Sequence, residues 1–434
     1  MTPEIPTQIL DIIPLQKTLD ARVRVPGSKS LTNRALLIAA LADGFSTLTN
    51  ALFSDDSFYF ANALQNLGFR INLEPEKAGI TVGGLGGKIP AESARLYVGN
   101  AGTAARFLAA MLTLGQGDYF MEGDARMHER PIGDLVSALR QLGADLSAPD
   151  GGREPATLPL RIQAAGLPGG KAEISGNISS QFLSALLMVA PCASRTVEIT
   201  VTTELASKPY VDMTLAMMAD FGVAVEREGY RRFLIQPARY RACRQVPIEP
   251  DATAASYFFA APALCGGSLL VEGLSRRSNQ GDLAFLDVLA RMGCTVAEEA
   301  DGIRVRAAQA LSGVDVDMRD IPDTAQTLAA LAPFACSATR IRGIATARLK
   351  ETDRIAAACA ELRRIGVQVE EFEDGMLIQP CTDFHPAVIK TYNDHRMAMA
   401  FSLIGLRVPG ISIENPACVS KTFPDFFRVL EGLR

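Results

Sequence analysis

The sequence predicts an α/β protein of two lobes, each built from three copies of one strand-and-helix unit. Three observations carry this. A helical end closed by glycine and followed by two strands recurs along the chain, with the glycines at 68, 143, 222, 293 and 366, spaced 75, 79, 71 and 73 residues apart. A small polar cluster opening an Ala/Leu/Phe-rich helix recurs too, its apolar cores starting near Leu36, Phe107, Phe182, Phe258, Leu328 and Phe401, spaced 71, 75, 76, 70 and 73. The sixth copy stops after a helix at Phe423 to Leu433, and unmatched strands stand at the other end of the chain.

Taken in order, residues 8–25 alternate like a strand pair turning near Lys17 to Asp20, with no helix before them. Pro26-Gly27-Ser28-Lys29-Ser30 follows and leads into the apolar run Ala35–Leu41. Serine at that junction suits a helix N-terminus, whose free N–H groups, with Lys29, Ser30 and Arg34, suit an anion. Gly at a helix C′ position permits the left-handed turn that ends each glycine-closed helix. Gly83-Gly84-Leu85-Gly86-Gly87-Lys88 and Gly166-Leu167-Pro168-Gly169-Gly170-Lys171 follow strand pairs in consecutive copies and open no helix, so they read as connectors rather than nucleotide loops. If the N-terminal strands complete the truncated sixth copy, one lobe spans 27–249 and the other 250–434 plus 1–26. The chain then crosses over near 26–27 and 250–251.

The six helix starts are Gly27-Ser28-Lys29-Ser30, Gly99-Asn100-Ala101-Gly102-Thr103, Asn177-Ile178-Ser179-Ser180-Gln181, Pro250-Asp251-Ala252-Thr253, Pro322-Asp323-Thr324 and Asn393-Asp394-His395-Arg396. The first three offer donors to anions. The last three each carry Asp, which is also ordinary capping chemistry. Further cations gather beside turns: Arg126, Arg130, Lys208, Arg348, Lys350, Arg354, Arg396 and Lys421. In a chain of net charge −5, that concentration points to small, multiply charged anions, gripped in two-point fashion by Arg and as point charges by Lys.

Composition excludes other classes. With 434 residues, 48% hydrophobic and 21% charged, the chain reads as globular and multi-domain, and its acidic balance gives no reason to expect nucleic acid or an anionic membrane as partner. The start Met1-Thr2-Pro3-Glu4-Ile5-Pro6 does not read as a signal peptide, and the apolar run from Ala254 to Val271 is broken by Pro262 and Gly266-Gly267. Eight scattered cysteines without a C-x-x-C pair read as reduced thiols of a cytoplasmic protein. Three distant histidines give no metal spacing, so no metal is expected.

The motifs together resemble the 5-enolpyruvylshikimate-3-phosphate synthase family of enolpyruvyl transferases. They are Pro26-Gly27-Ser28-Lys29-Ser30 with Asn33-Arg34, Gly99-Asn100-Ala101-Gly102-Thr103-Ala104, Glu129-Arg130-Pro131-Ile132-Gly133, Ser179-Ser180-Gln181-Phe182, Ser207-Lys208-Pro209-Tyr210, Ile321-Pro322-Asp323, Lys350-Glu351-Thr352-Asp353-Arg354, Asn393-Asp394-His395-Arg396-Met397-Ala398 and Lys421-Thr422-Phe423-Pro424. The resemblance implies the two-lobe enolpyruvyl transferase fold, three βαβαββ units per lobe around a central cleft. It also implies condensation of phosphoenolpyruvate with shikimate 3-phosphate, releasing phosphate without metal or cofactor.

By motif matching, shikimate 3-phosphate would meet Ser30, Arg34, Ser179, Ser180, Ser207, Asp323, Thr346 and Lys350. Phosphoenolpyruvate would meet Lys29, Asn100, Gly102, Arg130, Gln181, Arg354, Arg396 and Lys421. Asp323 would be the base for the attacking hydroxyl, Glu351 its acid–base counterpart, and Lys29 a helper at the leaving phosphate. Closure of the lobes on both anions is expected, with a monomer and no macromolecular partner. Thr346 stands where the family often has Asn, and Phe107 where Pro is common. Two other readings stay open here. The sister transferase acting on UDP-N-acetylglucosamine mostly uses a first-lobe cysteine, and none precedes Cys192. A non-catalytic sensor of phosphorylated metabolites could dispense with Asp323 or Glu351, and both are present.

Overall fold

A computed structural model describes residues 8–152 and 156–434. The chain divides into a first unit, Gly27–Glu249, and a second unit, Pro250–Arg434 with the described part of the segment ending at Pro26. Residues 1–7, assigned to the second lobe from sequence, lie outside the described residues.

In the first unit the helices are α1 (Lys29–Leu41), α2 (Asp55–Asn66), α3 (Gly102–Leu112), α4 (Gly133–Gln141), α5 (Ser180–Val189) and α6 (Lys208–Asp220). In the second they are α7 (Ala252–Cys265), α8 (Phe285–Arg291), α9 (Ala325–Leu331), α10 (Arg354–Arg364), α11 (His395–Gly405) and α12 (Phe426–Glu431). The odd-numbered helices are mostly apolar and buried almost completely, their few charged residues lying near the N-terminal ends. The even-numbered ones keep a wet face; α4 buries only Leu135, Val136, Ala138 and Leu139. Each landmark glycine ends an even-numbered helix in left-handed backbone: Gly68 at φ 89°, Gly143 at 93°, Gly222 at 85°, Gly293 at 102° and Gly366 at 93°.

Each copy folds one mixed sheet. Ser93–Tyr97 runs parallel to Gln116–Glu122, which pairs antiparallel with Leu160–Ala165, and that strand pairs antiparallel with Asp145–Ser147. The same order recurs around Val197–Val201 and around Thr339–Arg342. The crossings exchange leading strands. Leu19–Val23 lies parallel to Gly267–Glu272 in the second unit, although the chain leaves it for α1; Val246–Pro247 lies parallel to Asp43–Thr49 in the first unit, although the chain leaves it for α7.

The N-terminal strands depart from expectation. They do not pair with each other. Ile9–Asp11 pairs antiparallel with Ile411–Glu414 and extends the sheet of the sixth copy, whereas Leu19–Val23 leads the fourth. The segment therefore supplies one strand to each of two sheets, because each offers an open edge that only a distant strand can fill.

Gly83 and Gly84 are a second correction. They lie inside the strand Gly79–Leu85 rather than in a connector. A Cβ on Gly84 would stand 2.1 Å from Ala39 O and 2.3 Å from Ala42 O, so close approach of α1 to the sheet requires glycine there. Gly86 and Gly87, with φ of 62° and 86°, do form the turn.

All eight cysteines are free thiols. Burial pushes the Cys192, Cys359 and Cys418 thiols up to about 12 and the Cys265 thiol to about 11. At pH 8 a group at 12 is ionised to about one part in 10⁴, so native alkylation is expected to label exposed Cys336 first and spare Cys359 and Cys418. Mass spectrometry of the labelled protein checks this. These thiols also favour the native state fully below about pH 8.5, where both states keep their protons, and that contribution is lost as pH rises toward 12. Arg34, brought down to about 10 by burial, acts with the opposite sign, and only above that pH. Falling urea midpoints between about pH 9 and 11 are the expected net result.

Candidate active site

All six polar clusters open helices. In the first unit, Ser28 caps α1 by accepting from Leu31 N, which leaves Lys29 and Ser30 in the first turn. Lys29 Nζ stands 3.4 Å from Oδ2 of Asp56, a buried carboxylate in the first turn of α2 that sequence reading missed. At the start of α3, Arg130 Nη1 donates to Asn100 Oδ1 at 2.8 Å and to Asn100 O at 3.1 Å. Gly102 faces that guanidinium so closely that a Cβ would lie 2.4 Å from Arg130 Nη2. Ser179 caps α5 through Gln181 N, Ser180 is buried, and Gln181 Nε2 donates to Thr103 Oγ1 at 3.3 Å. Ser207, at φ 57°, opens α6 in left-handed backbone, a conformation concentrated at functional sites.

Arg34 differs from its expected setting. It is 2% exposed, and its guanidinium donates to Thr214 Oγ1 at 2.7 Å, Ser30 O at 2.9 Å, Tyr210 O at 3.0 Å and Ser184 Oγ at 3.3 Å. The Phe107 ring lies 5.5 Å from its Cζ. Arg34 thus joins α1, α3, α5 and α6 and aligns their starts; four of its five N–H groups are engaged by described residues.

The second unit holds the denser cluster. Arg354, at the first position of α10 and 2% exposed, donates Nε to Asp394 Oδ2 at 2.7 Å, Nη2 to Glu351 Oε2 at 2.7 Å and Nη1 to Asp323 Oδ1 at 3.0 Å. Asp323 Oδ2 also accepts from Arg396 Nη2 at 2.7 Å, and Lys421 Nζ stands 3.8 Å from Glu351 Oε1. Burial opposes the Arg354 charge, but Asp394, Glu351 and Asp323 overcome it and raise its pKa above the ordinary guanidinium value. Asp251 and Asp394 cap α7 and α11. Asp323 sits on the short turn Pro322–Thr324 with its carboxylate between two arginines.

Tyr257, fully buried and with its hydroxyl pushed to about 12 by burial, accepts from Arg396 Nη1 at 3.5 Å. Thr346 and Lys350 flank the cluster, half-buried. Arg126, Arg348 and Lys208 are instead in local ion pairs with Glu129, with Asp353 and Glu371, and with Glu204. A cavity of about 500 Å³ lined by Leu15, Cys265, Phe334, Cys336 and Arg407 adjoins the far ends of α7 and α11 and shares no residue with the cluster.

Helix starts bearing cations in each unit, and in the second unit carboxylates among the arginines, suit anionic reactants and proton transfer. Among solved structures, an EPSP synthase from Acinetobacter baumannii superposes with a TM-score of 0.82 at 27% identity, covering 98% of both chains. The enolpyruvyl transferase NikO from Streptomyces tendae shares the fold, with a TM-score of 0.77 at 19% identity over 99% of this chain and 98% of its own. The fold is that of the enolpyruvyl transferases.

Within that class, the chain belongs to the EPSP synthase (3-phosphoshikimate 1-carboxyvinyltransferase) family, whose model matches residues 14–430. The 3-phosphoshikimate 1-carboxyvinyltransferase of Nostoc sp. is 50% identical over 413 residues, 95% of this chain and 96% of its own length. That of Shewanella denitrificans is 51% identical over 411 residues, 94% and 95% of the two chains.

Proposed function

We propose that this chain transfers the enolpyruvyl group of phosphoenolpyruvate to the 5-hydroxyl of shikimate 3-phosphate, releasing inorganic phosphate. One observation supports it most: Asp323 and Glu351 share Arg354 and each also meets a second cation, Arg396 or Lys421. Two carboxylates among cations suit a reaction whose substrates are anions and whose two halves move protons in opposite directions.

In the addition, Asp323 takes the proton of the attacking hydroxyl as its oxygen bonds to C2 of phosphoenolpyruvate, and Glu351 delivers a proton to the methylene carbon. In the elimination the C2–oxygen bond to phosphate breaks, Glu351 takes a methyl proton back, the double bond re-forms, and the phosphate, assisted by Lys29, departs with the proton that Asp323 had taken, so both carboxyls return to their starting states. Asp323 is the more open carboxylate, with 21% of its side chain exposed against 6% for Glu351, which suits contact with the acceptor hydroxyl.

We assign phosphoenolpyruvate to Lys29, Asn100, Gly102, Arg130, Gln181, Arg354, Arg396 and Lys421. Shikimate 3-phosphate is assigned to Ser30, Arg34, Ser179, Ser180, Ser207, Asp323, Thr346 and Lys350, with Arg34 acting chiefly through the donors it holds in place. We assign a monomer and a cytoplasmic location, and the free thiols support the second of these. No helix among the described residues is long and apolar enough to cross a membrane.

Phosphate release from phosphoenolpyruvate is expected with shikimate 3-phosphate as acceptor and absent with UDP-N-acetylglucosamine. No release with the first, or release only with the second, overturns the assignment. Gly102→Ala offers a sharper probe of the phosphoenolpyruvate contacts. Its Cβ displaces the end of the Arg130 side chain rather than backbone, so the KM for phosphoenolpyruvate is expected to rise about tenfold while the urea midpoint hardly moves.

A further inference from the structure

Three non-glycine residues of the second unit hold left-handed backbone beside functional cations: Tyr392 and Asn393 at φ 54° and Asn415 at φ 49°. Tyr392 and Asn393 run directly into Asp394, which caps α11 and accepts from Arg354, and then into Arg396. Asn415 opens the turn Pro416–Lys421, which ends on Lys421. Backbone of this kind persists only where its surroundings over-determine it.

The surroundings centre on one buried carboxylate. Glu361, fully buried in α10, accepts from Tyr392 Oη at 2.7 Å, from Lys390 N at 3.0 Å and from Arg364 Nε at 2.8 Å. Asn415 Nδ2 in turn donates to Asn393 Oδ1 at 3.2 Å, which joins the two left-handed turns. Glu361 lies seven residues after Arg354, so both project from the same side of α10, about 10 Å apart along its axis. That face grips the segment 390–394 twice, through Glu361 at Lys390 and Tyr392 and through Arg354 at Asp394.

We propose that Glu361 is a positioning residue: through Tyr392 and the Asn393–Asn415 contact it holds the two turns that present Arg396 and Lys421. It touches no substrate. Its carboxylate is consumed by donors on the 390–392 segment and by Arg364, and its effect reaches the reaction only through those turns. The inference rests on the assignment of Arg354, Arg396 and Lys421 to phosphoenolpyruvate.

Two variants test it. Tyr392→Phe deletes one donor to Glu361 and keeps the ring. Asn415→Gly deletes the bridging amide and keeps left-handed backbone without strain. In Tyr392→Phe the KM for phosphoenolpyruvate is expected to rise about tenfold, the loss of one hydrogen bond to a charged group, with the KM for shikimate 3-phosphate moving less than about twofold. Asn415→Gly is expected to shift the same constant in the same direction, by less. Hydrogen exchange at the amides of residues 394–396 quickens in both variants while that of α9 stays as in the parent. Unchanged KM values with a fall in kcat that tracks the folded fraction, or unchanged exchange at 394–396, overturn the proposal. If the parent protein releases no phosphate, the functional assignment fails instead, and exchange at 394–396 still decides whether Glu361 holds the turn.

Discussion

Turnover in Glu351→Gln and in Asp323→Ala is expected to fall by about 10²–10⁴-fold, the range for losing a positioned acid or base, while affinity for either substrate changes by less than about tenfold. The separation follows from the contacts. Gln at 351 keeps the volume and a carbonyl oxygen to accept from Arg354 Nη2, now at 2.7 Å from the carboxylate, but carries no proton to deliver. Ala at 323 frees Arg354 Nη1 and Arg396 Nη2, two donors now bound to that carboxylate, and freed donors hold anionic ligands at least as well. Steady-state kinetics beside calorimetric titration of each substrate measures both quantities. Binding lost in step with turnover would make the two residues scaffolding.

Arg354→Ala is expected to destabilise the second unit by about 3–5 kcal/mol, the usual cost of removing one partner from a buried ionic group. The burden falls unevenly. Asp323 keeps Arg396 and Glu351 keeps Lys421, whereas Asp394, with no solvent exposure, keeps the backbone N–H of Arg396 but loses the two guanidinium bonds at 2.7 and 3.3 Å. Urea unfolding of parent and variant measures the difference, and an unchanged midpoint would mean that the three carboxylates are held as well by their remaining partners.

Much of this protein is legible in one dimension because the signals are local. Five glycines end helices in left-handed backbone, and six polar clusters open helices, because a cap or a C′ turn depends on residues within one turn of the chain. The spacing of those signals reveals the repeats, and the repeats imply an α/β fold. The kinds of residue at the helix starts, Ser, Asn, Lys and Asp, likewise announce anion chemistry.

The partner of each charge is another matter. Asp323 is held by arginines 31 and 73 residues away, and Arg34 donates to groups 150 to 180 residues away, partners that no local signal marks. Lys29 meets Asp56, and Glu361 meets Tyr392, with no motif to mark either. The N-terminal strands read as a hairpin and separate into two sheets, since an open edge is completed by whichever strand packing brings to it. Sequence alone determined the repeated unit, its helix starts and the charges placed there, because hydrogen bonding within one turn and apolar periodicity are properties of neighbours. Only the tertiary structure decided which carboxylate holds which cation and which sheet takes each terminal strand, because buried charges and open edges are satisfied across the fold, by groups the chain separates widely.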